Sequence, residues 1–262
     1  MNNKPIGIFD SGVGGISIWK ELQLRLPSED TVYLADSKNA PYGEKSAQTI
    51  VQLSCKNTEL LLDQGCKLIV VACNTATTNA IDHLRAQYPV PFIGIEPAIK
   101  PAALQSLSRT VGVLATRGTL SSALFHSTVN NHASNINIIE QEGTGLVELI
   151  EEGKAYSEAA RALLRSYLQP MVASGIDHLV LGCTHYPHLI PLLKEELPPH
   201  VIVIDCGEAV ANQTYRILEK KELLAAPNRK PKHHFYTNTE PALLTTFLKD
   251  VKGEIKVSYK DF

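Results

Sequence analysis

Nowhere in the 262 residues do more than two Lys or Arg stand together, and the formal net charge is −2. A nucleic acid or an anionic membrane surface is therefore not expected as the main partner. Apolar stretches are of strand length and fall far short of the roughly 20 residues that cross a bilayer. The N-terminus, Met1-Asn2-Asn3-Lys4-Pro5-Ile6, runs straight into a strand pattern without a signal-peptide pattern, so a cytoplasmic chain is expected. Cysteines number five, at 55, 66, 73, 183 and 206, with no C-x-x-C and no zinc-finger spacing. That odd count argues against a disulfide framework and the spacing against a structural metal. Neither a Walker motif nor a lysine placed as a pyridoxal anchor stands out. Asp10-Ser-Gly-Val-Gly-Gly15 follows a strand pattern, but the dinucleotide fingerprint G-x-G-x-x-G fails at Ser17. The glycine run reads instead as a tight turn that brings backbone close to a small ligand.

What the chain does have is the balance of an ordinary globular protein, 44% hydrophobic and 20% charged. Short β-rich runs alternate with helical patterns, which predicts βα units and parallel sheets. Strands are expected at 5–9, 31–35, 67–72, 92–95, 110–115, 136–140, 178–182, 201–204, 232–236 and 254–258. The expected fold is α/β, with two pseudo-symmetric parallel-sheet domains facing each other across a central cleft. Residues 1–97 and 210–262 are assigned to the first domain and 98–209 to the second, with a linker at 226–231.

A repeat supports that division. Gly65-Cys-Lys-Leu-Ile-Val-Val-Ala-Cys73 matches Gly175-Ile-Asp-His-Leu-Val-Leu-Gly-Cys183, 110 residues later. Ile6-Gly-Ile-Phe-Asp10 matches Val111-Gly-Val-Leu-Ala115, and Ile93-Gly-Ile-Glu96 matches Ile202-Val-Ile-Asp205, at offsets of 105 and 109. Buried parallel strands all resemble one another, but three concordant offsets favour duplication. Polar clusters fall at the carboxyl ends of the strands, where open α/β sheets bind ligands: Asp10-Ser11, Asp36-Ser37, Cys73-Asn74-Thr75, Glu96, Thr116, Cys183-Thr184-His185 and Asp205. Helix capping explains Ser11 or Thr75; it does not explain two cysteines. Cys55 and Cys66 read as packing residues and Cys206 as a weaker candidate.

A thiol at a helix N-terminus is expected to have a lowered pKa. Two opposed thiols suit a 1,1-proton transfer, in which one removes a proton from a carbon acid and the other returns one to the opposite face. Asp10 and His185 have no counterpart in the other half, so Asp10 is expected to assist Cys73 and His185 to assist Cys183. The competing readings are a structural cap for Asp10 and an exposed histidine for His185. Tyr42 and the Gly43 N–H either close over substrate or form a plain turn.

Four ordered motifs carry a family resemblance: Phe9-Asp-Ser-Gly-Val-Gly-Gly15, Ala40-Pro-Tyr-Gly43, Ala72-Cys-Asn-Thr-Ala76 and Gly182-Cys-Thr-His-Tyr-Pro187. The chain resembles the bacterial glutamate racemases from Ile6 to about Ile217. The resemblance implies a cofactor-independent enzyme that interconverts L- and D-glutamate for peptidoglycan, commonly as a homodimer. Cys73 and Cys183 match the family's catalytic bases, and Asp10 and His185 match their assisting groups. Ser11, Tyr42, Gly43, Asn74, Thr75 and Thr184 match substrate-binding positions, and Thr116 and Thr119 fall where further substrate hydroxyls are often found. Glu151 aligns with an assisting glutamate, although Gly143-Thr-Gly145 stands in a stretch where the family commonly carries Cys-Pro. His185-Tyr186-Pro187 after the second cysteine favours glutamate over aspartate.

Overall fold

The computed structural model describes residues 2–251 and 253–262. The first half runs β1 (Ile6–Asp10), α1 (Ile16–Arg25), β2 (Thr31–Ala35), α2 (Ala47–Asp63), β3 (Leu68–Val71), α3 (Asn74–Gln87) and β4 (Phe92–Ile93). After α4 (Ile99–Gln105) the pattern repeats: β5 (Thr110–Ala115), α5 (Arg117–Leu120), α6 (Ala123–His132), β6 (Asn137–Glu142), α7 (Leu146–Glu151), α8 (Glu158–Ala173), β7 (His178–Gly182), α9 (Ile190–Glu196) and β8 (Ile202–Ile204). The chain closes with α10 (Gly207–Lys220), β9 (Lys232–Thr237), α11 (Pro241–Phe247) and β10 (Glu254–Tyr259).

Among the described residues these strands form two sheets, ordered β10-β9-β2-β1-β3-β4 and β6-β5-β7-β8. Every adjacent pair is parallel. The run β2-β1-β3-β4 has the same order as β6-β5-β7-β8, so the repeat read in three strands extends to a fourth. That fourth pair is dissimilar in sequence because its surroundings differ. β2 is buried along its whole length beside β9, whereas β6 is an edge strand with no fully buried residue. Buried strands such as Leu68-Ile-Val-Val71 are continuous apolar runs because helices cover both faces.

Local chemistry sets the element ends. Gly65 and Gly175 adopt φ of 75° and 79°, the left-handed turns that lead into the two cysteine strands. Ser46 caps α2 and Ser157 caps α8, each accepting from an amide three residues on. β4 is shorter than the expected 92–95, since the Ile95 amide donates to Thr77 Oγ1 at 3.0 Å. Each sheet has a point at which consecutive strands diverge, between β1 and β3 and between β5 and β7. The carboxyl ends there are where an open sheet binds ligands, and the two ends share one cleft.

Candidate active site

Cys73 follows β3 directly and is the N-cap of α3, its Sγ accepting from the Ala76 amide at 3.4 Å. Its thiol also lies 3.7 Å from Ser11 Oγ, at the end of β1. The lowered pKa expected of a helix-capping thiol is not what the structure gives. Burial, reinforced by the Asp10 carboxylate, pushes the Cys73 thiol up, and these outweigh the Ala76 amide. The neutral thiol is thereby the favoured form of Cys73 in this geometry.

Cys183 is held differently. Pro187 and Pro191 prevent a regular helix from starting after β7, and the chain instead makes a 3-10 turn over Tyr186–Leu189. In place of a long helix N-terminus Cys183 has His185, whose Nδ1 lies 3.8 Å from Sγ. His185 is buried, which removes the exposed-histidine reading. Its Nε2 donates to Glu151 Oε1 at 2.6 Å. Burial alone would lower the His185 pKa, but the bonds to Cys183 and Glu151 prevail and hold the imidazole cationic, well above its usual range. Burial likewise opposes charge on Glu151. The His185 bond and charge, the Val13 amide and the Ser37 hydroxyl overcome it and keep this carboxyl below its ordinary value.

Asp10 is fully buried; its Oδ2 accepts from the Gly15 amide at 2.7 Å and its Oδ1 from Thr184 Oγ1 at 3.4 Å. It thus shapes the turn into α1 and touches the site only through Thr184, since among the described residues it does not line the cavity between the two cysteines. Burial pushes its carboxyl up to about 6, against the pull of the His185 charge. The glycine run behaves otherwise than expected: it meets protein side chains. A Cβ on Gly12 would lie 1.9 Å from Glu151 Oε1, and one on Gly14 would lie 2.3 Å from His185 Nδ1.

A narrow cavity, about 10 Å³ and so tightly closed, lies between the two walls. Ser11, Tyr42, Gly43, Cys73, Asn74, Thr75, Thr116, Cys183, Thr184 and His185 line it, so the structure brings both thiols and most of the expected binding residues together. Thr119 stands just behind, 3.1 Å from Thr116 Oγ1, and Thr116 lies 2.8 Å from Thr75 Oγ1. Asn74 is buried with both its amide N and O unpartnered among the described residues, which an occupant of the cavity would relieve. The first turn of α3 leaves the Asn74 and Thr75 amides without intrahelical acceptors. Among the described residues no Lys or Arg lines the cavity, so N–H and O–H groups are the ones placed to receive a carboxylate. Among the described residues no cluster of His, Cys, Asp and Glu could hold a metal ion, and no helix is long and apolar enough to cross a membrane.

Four contributors were not assigned from sequence. Tyr42 contributes its ring; its hydroxyl donates to Asp36 and accepts from Asn57 Nδ2 at 3.1 Å, so it is already occupied. Ser37 and the Val13 amide both donate to Glu151. Asp36-Ser37 stood at a strand's carboxyl end, a usable signal; Asn57, in mid-helix, gave none. Glu96, in contrast, accepts from Thr128 at the surface, and Asp205 caps the turn into α10 through the Gly207 amide.

Comparison with known proteins places the chain in a family. Residues 17–214 match the model of the Asp/Glu/Hydantoin racemase family. A glutamate racemase of Ectopseudomonas mendocina is 51% identical over 226 residues, 86% of each chain. The structure of a glutamate racemase isoform of Bacillus anthracis superposes with a TM-score of 0.87 at 29% identity, covering 100% of this chain and 99% of that one. The Escherichia coli glutamate racemase, solved with L-glutamate and the activator UDP-MurNAc-ala, gives 0.86 at 32% identity, covering 98% of each. The chain belongs to the Asp/Glu/hydantoin racemase family and is an enzyme of its glutamate racemase branch.

Proposed function

We propose that the protein interconverts L- and D-glutamate by proton transfer between Cys73 and Cys183, without a cofactor. One thiolate removes the α-proton, the electron pair passes into the α-carboxylate, and the opposing thiol protonates the other face. Atoms balance: a turnover moves the shared proton from one sulfur to the other. The observation that carries this reading is the pair of cysteine side chains on the walls of one cavity, beside an Asn74 whose polar atoms lack partners.

The unlike surroundings of the two sulfurs support unlike starting roles. Cys73, held protonated by burial and Asp10, is the donor in the unliganded site. His185, with Nδ1 3.8 Å from the Cys183 sulfur, is the group placed to exchange a proton with that thiol. The α3 amides, Asn74 and the Thr75–Thr116–Thr119 hydroxyls suit the two carboxylates of glutamate, and Asp10 suits its ammonium. By family resemblance the enzyme works in the cytoplasm as a homodimer and supplies D-glutamate for peptidoglycan.

The test is incubation of purified protein with L-glutamate in D₂O without added cofactor, following chirality by circular dichroism and the α-proton by NMR. Racemisation with solvent deuterium incorporation is expected. Cys73→Ser and Cys183→Ser should each lower turnover at least about a hundredfold while remaining folded. Folded wild-type protein that exchanges no α-proton sinks the racemase reading. Full turnover by either variant sinks the two-thiol mechanism alone.

A further inference from the structure

The two thiols are supported in unlike ways. Cys73 draws its contacts from its own half, from Ser11 and the Ala76 amide. Cys183 depends on His185, and His185 on Glu151, a residue of α7 in the second half. Two of the three donors to that carboxylate nevertheless come from the first half. The Val13 amide donates to Oε1 at 2.7 Å and Ser37 Oγ donates to Oε2 at 2.8 Å; His185 Nε2 supplies the third bond, to Oε1. Ser37 is the donor that holds Oε2 among the described residues.

The packing around this carboxylate leaves no slack, since even a Cβ on Gly12 would collide with Oε1. The halves also meet where Ser17 Oγ donates to the Thr184 carbonyl at 3.1 Å. With both oxygens held, the carboxylate plane is fixed, and so is the imidazole that it orients. With the halves apart, Glu151 loses the Val13 and Ser37 bonds together and is free to rotate away from His185.

We propose that Ser37 is a positioning residue: with the Val13 amide it makes Glu151 a latch between the two halves, so that the Glu151–His185–Cys183 chain is fully held only when they are closed on each other. This rests on the two-thiol reading. It makes the chemistry on the Cys183 side dependent on closure, whereas the Cys73 side is assembled within one half. Each product release that opens the cleft would undo the Cys183 side and each closure rebuild it.

The test uses Ser37→Ala and Ser37→Thr in the full chain. A lost bond to a buried carboxylate should lower kcat/KM about tenfold. The fall must be equal in both directions, because the enantiomers are equally stable in water. The telling readout is the α-deuterium isotope effect on kcat/KM with each enantiomer as substrate. When Cys183 removes the deuteron the effect should grow, because that step has become more rate-limiting; in the opposite direction it should shrink. Residual α-exchange by Cys73→Ser identifies the enantiomer that faces Cys183. Ser37→Thr, which keeps the hydroxyl, should restore both rate and isotope effects. If near-UV circular dichroism shows Ser37→Ala to be unfolded, Ser37→Cys, of similar shape and a weak donor, takes its place. Unchanged kcat/KM, isotope effects that move together, or no recovery in Ser37→Thr overturns the latch. Wild-type protein without α-exchange overturns the two-thiol reading instead, so the two failures are distinct.

Discussion

Asp10 shows how one side chain sets chemistry against stability. It is wholly buried, and its bonds come from one amide and one hydroxyl, with no cation paired directly to it. Burial raises its pKa from 3.8 to about 6, so the folded state holds this proton more tightly than the unfolded chain does. A raised carboxyl stabilises the fold below its unfolded pKa, and that contribution is lost as pH rises through the folded value. Its ionisation should thus cost about 3 kcal/mol of stability above pH 6 relative to acid solution. Asp10→Asn keeps the acceptor for the Gly15 amide and removes the charge. The variant should melt higher than wild type at about pH 8 and lose that advantage by about pH 4, while racemising poorly. An advantage equal at both pH values would show that the charge is not its source. Asp10 remains an acid in spite of this cost, one hydrogen bond away from the cavity through Thr184.

At the scale of elements, the turn between β1 and α1 is the most constrained connection. Gly12 and Gly14 have no left-handed φ, so backbone freedom is not what requires glycine there. The requirement is space against Glu151 and His185 in the other half. Gly12→Ala should therefore displace the Glu151 carboxylate, lowering kcat/KM by about a hundredfold with a small change in melting temperature. Gly65→Ala gives the opposite result. Gly65 has φ of 75° with nothing within 4 Å of a Cβ, so the substitution should cost roughly 1 kcal/mol of strain and leave activity intact. Paired thermal melts and rate assays check both, and equal activity losses would refute the distinction. Each of the ten expected strands has an observed counterpart, because buried parallel strands and turn glycines carry local signals. The cysteine pair could likewise be read, since β3 and β7 repeat one pattern. The Glu151 contacts could not: Ser37 and Val13 are 114 and 138 residues away, and only the packing of one half on the other brings them together. The raised pKa of Cys73 was hidden for the same reason, as burial is a property of the fold and helix capping a property of the neighbouring residues.

Across the whole molecule, chemistry and stability occupy opposite ends of the first sheet. The carboxyl ends of β1 and β3 carry Asp10 and Cys73, while just before β2 and β3 lie Glu29 and Lys67, an ion pair with side chains 2% and 1% exposed. Lys67 Nζ also donates to the Asn2 carbonyl at 2.6 Å, and Glu29 Oε1 accepts from the Ala225 amide at 2.8 Å. The pair therefore ties the start of the chain to the segment that returns from the second half. That return is packed as well as tied: in α10, Tyr215 lies under the Arg25 guanidinium of α1 at 3.8 Å, and Asn212 accepts from Arg25 Nε. Removing one member of a buried pair strands the other charge, so Lys67→Met should cost about 3–5 kcal/mol. Adding Glu29→Gln should recover part of that loss, because glutamine still accepts from Ala225 and leaves no buried charge. Trp19, the sole tryptophan, lies buried on α1 against Phe235 of β9, so its fluorescence reports this half during urea unfolding. The single variant should unfold at lower urea than the double, with KM for glutamate unchanged in both, since the pair is remote from the cavity. A double variant no more stable than Lys67→Met would mean that the stranded charge is not what destabilises the single variant. A raised KM would mean that this tie reaches the active site after all.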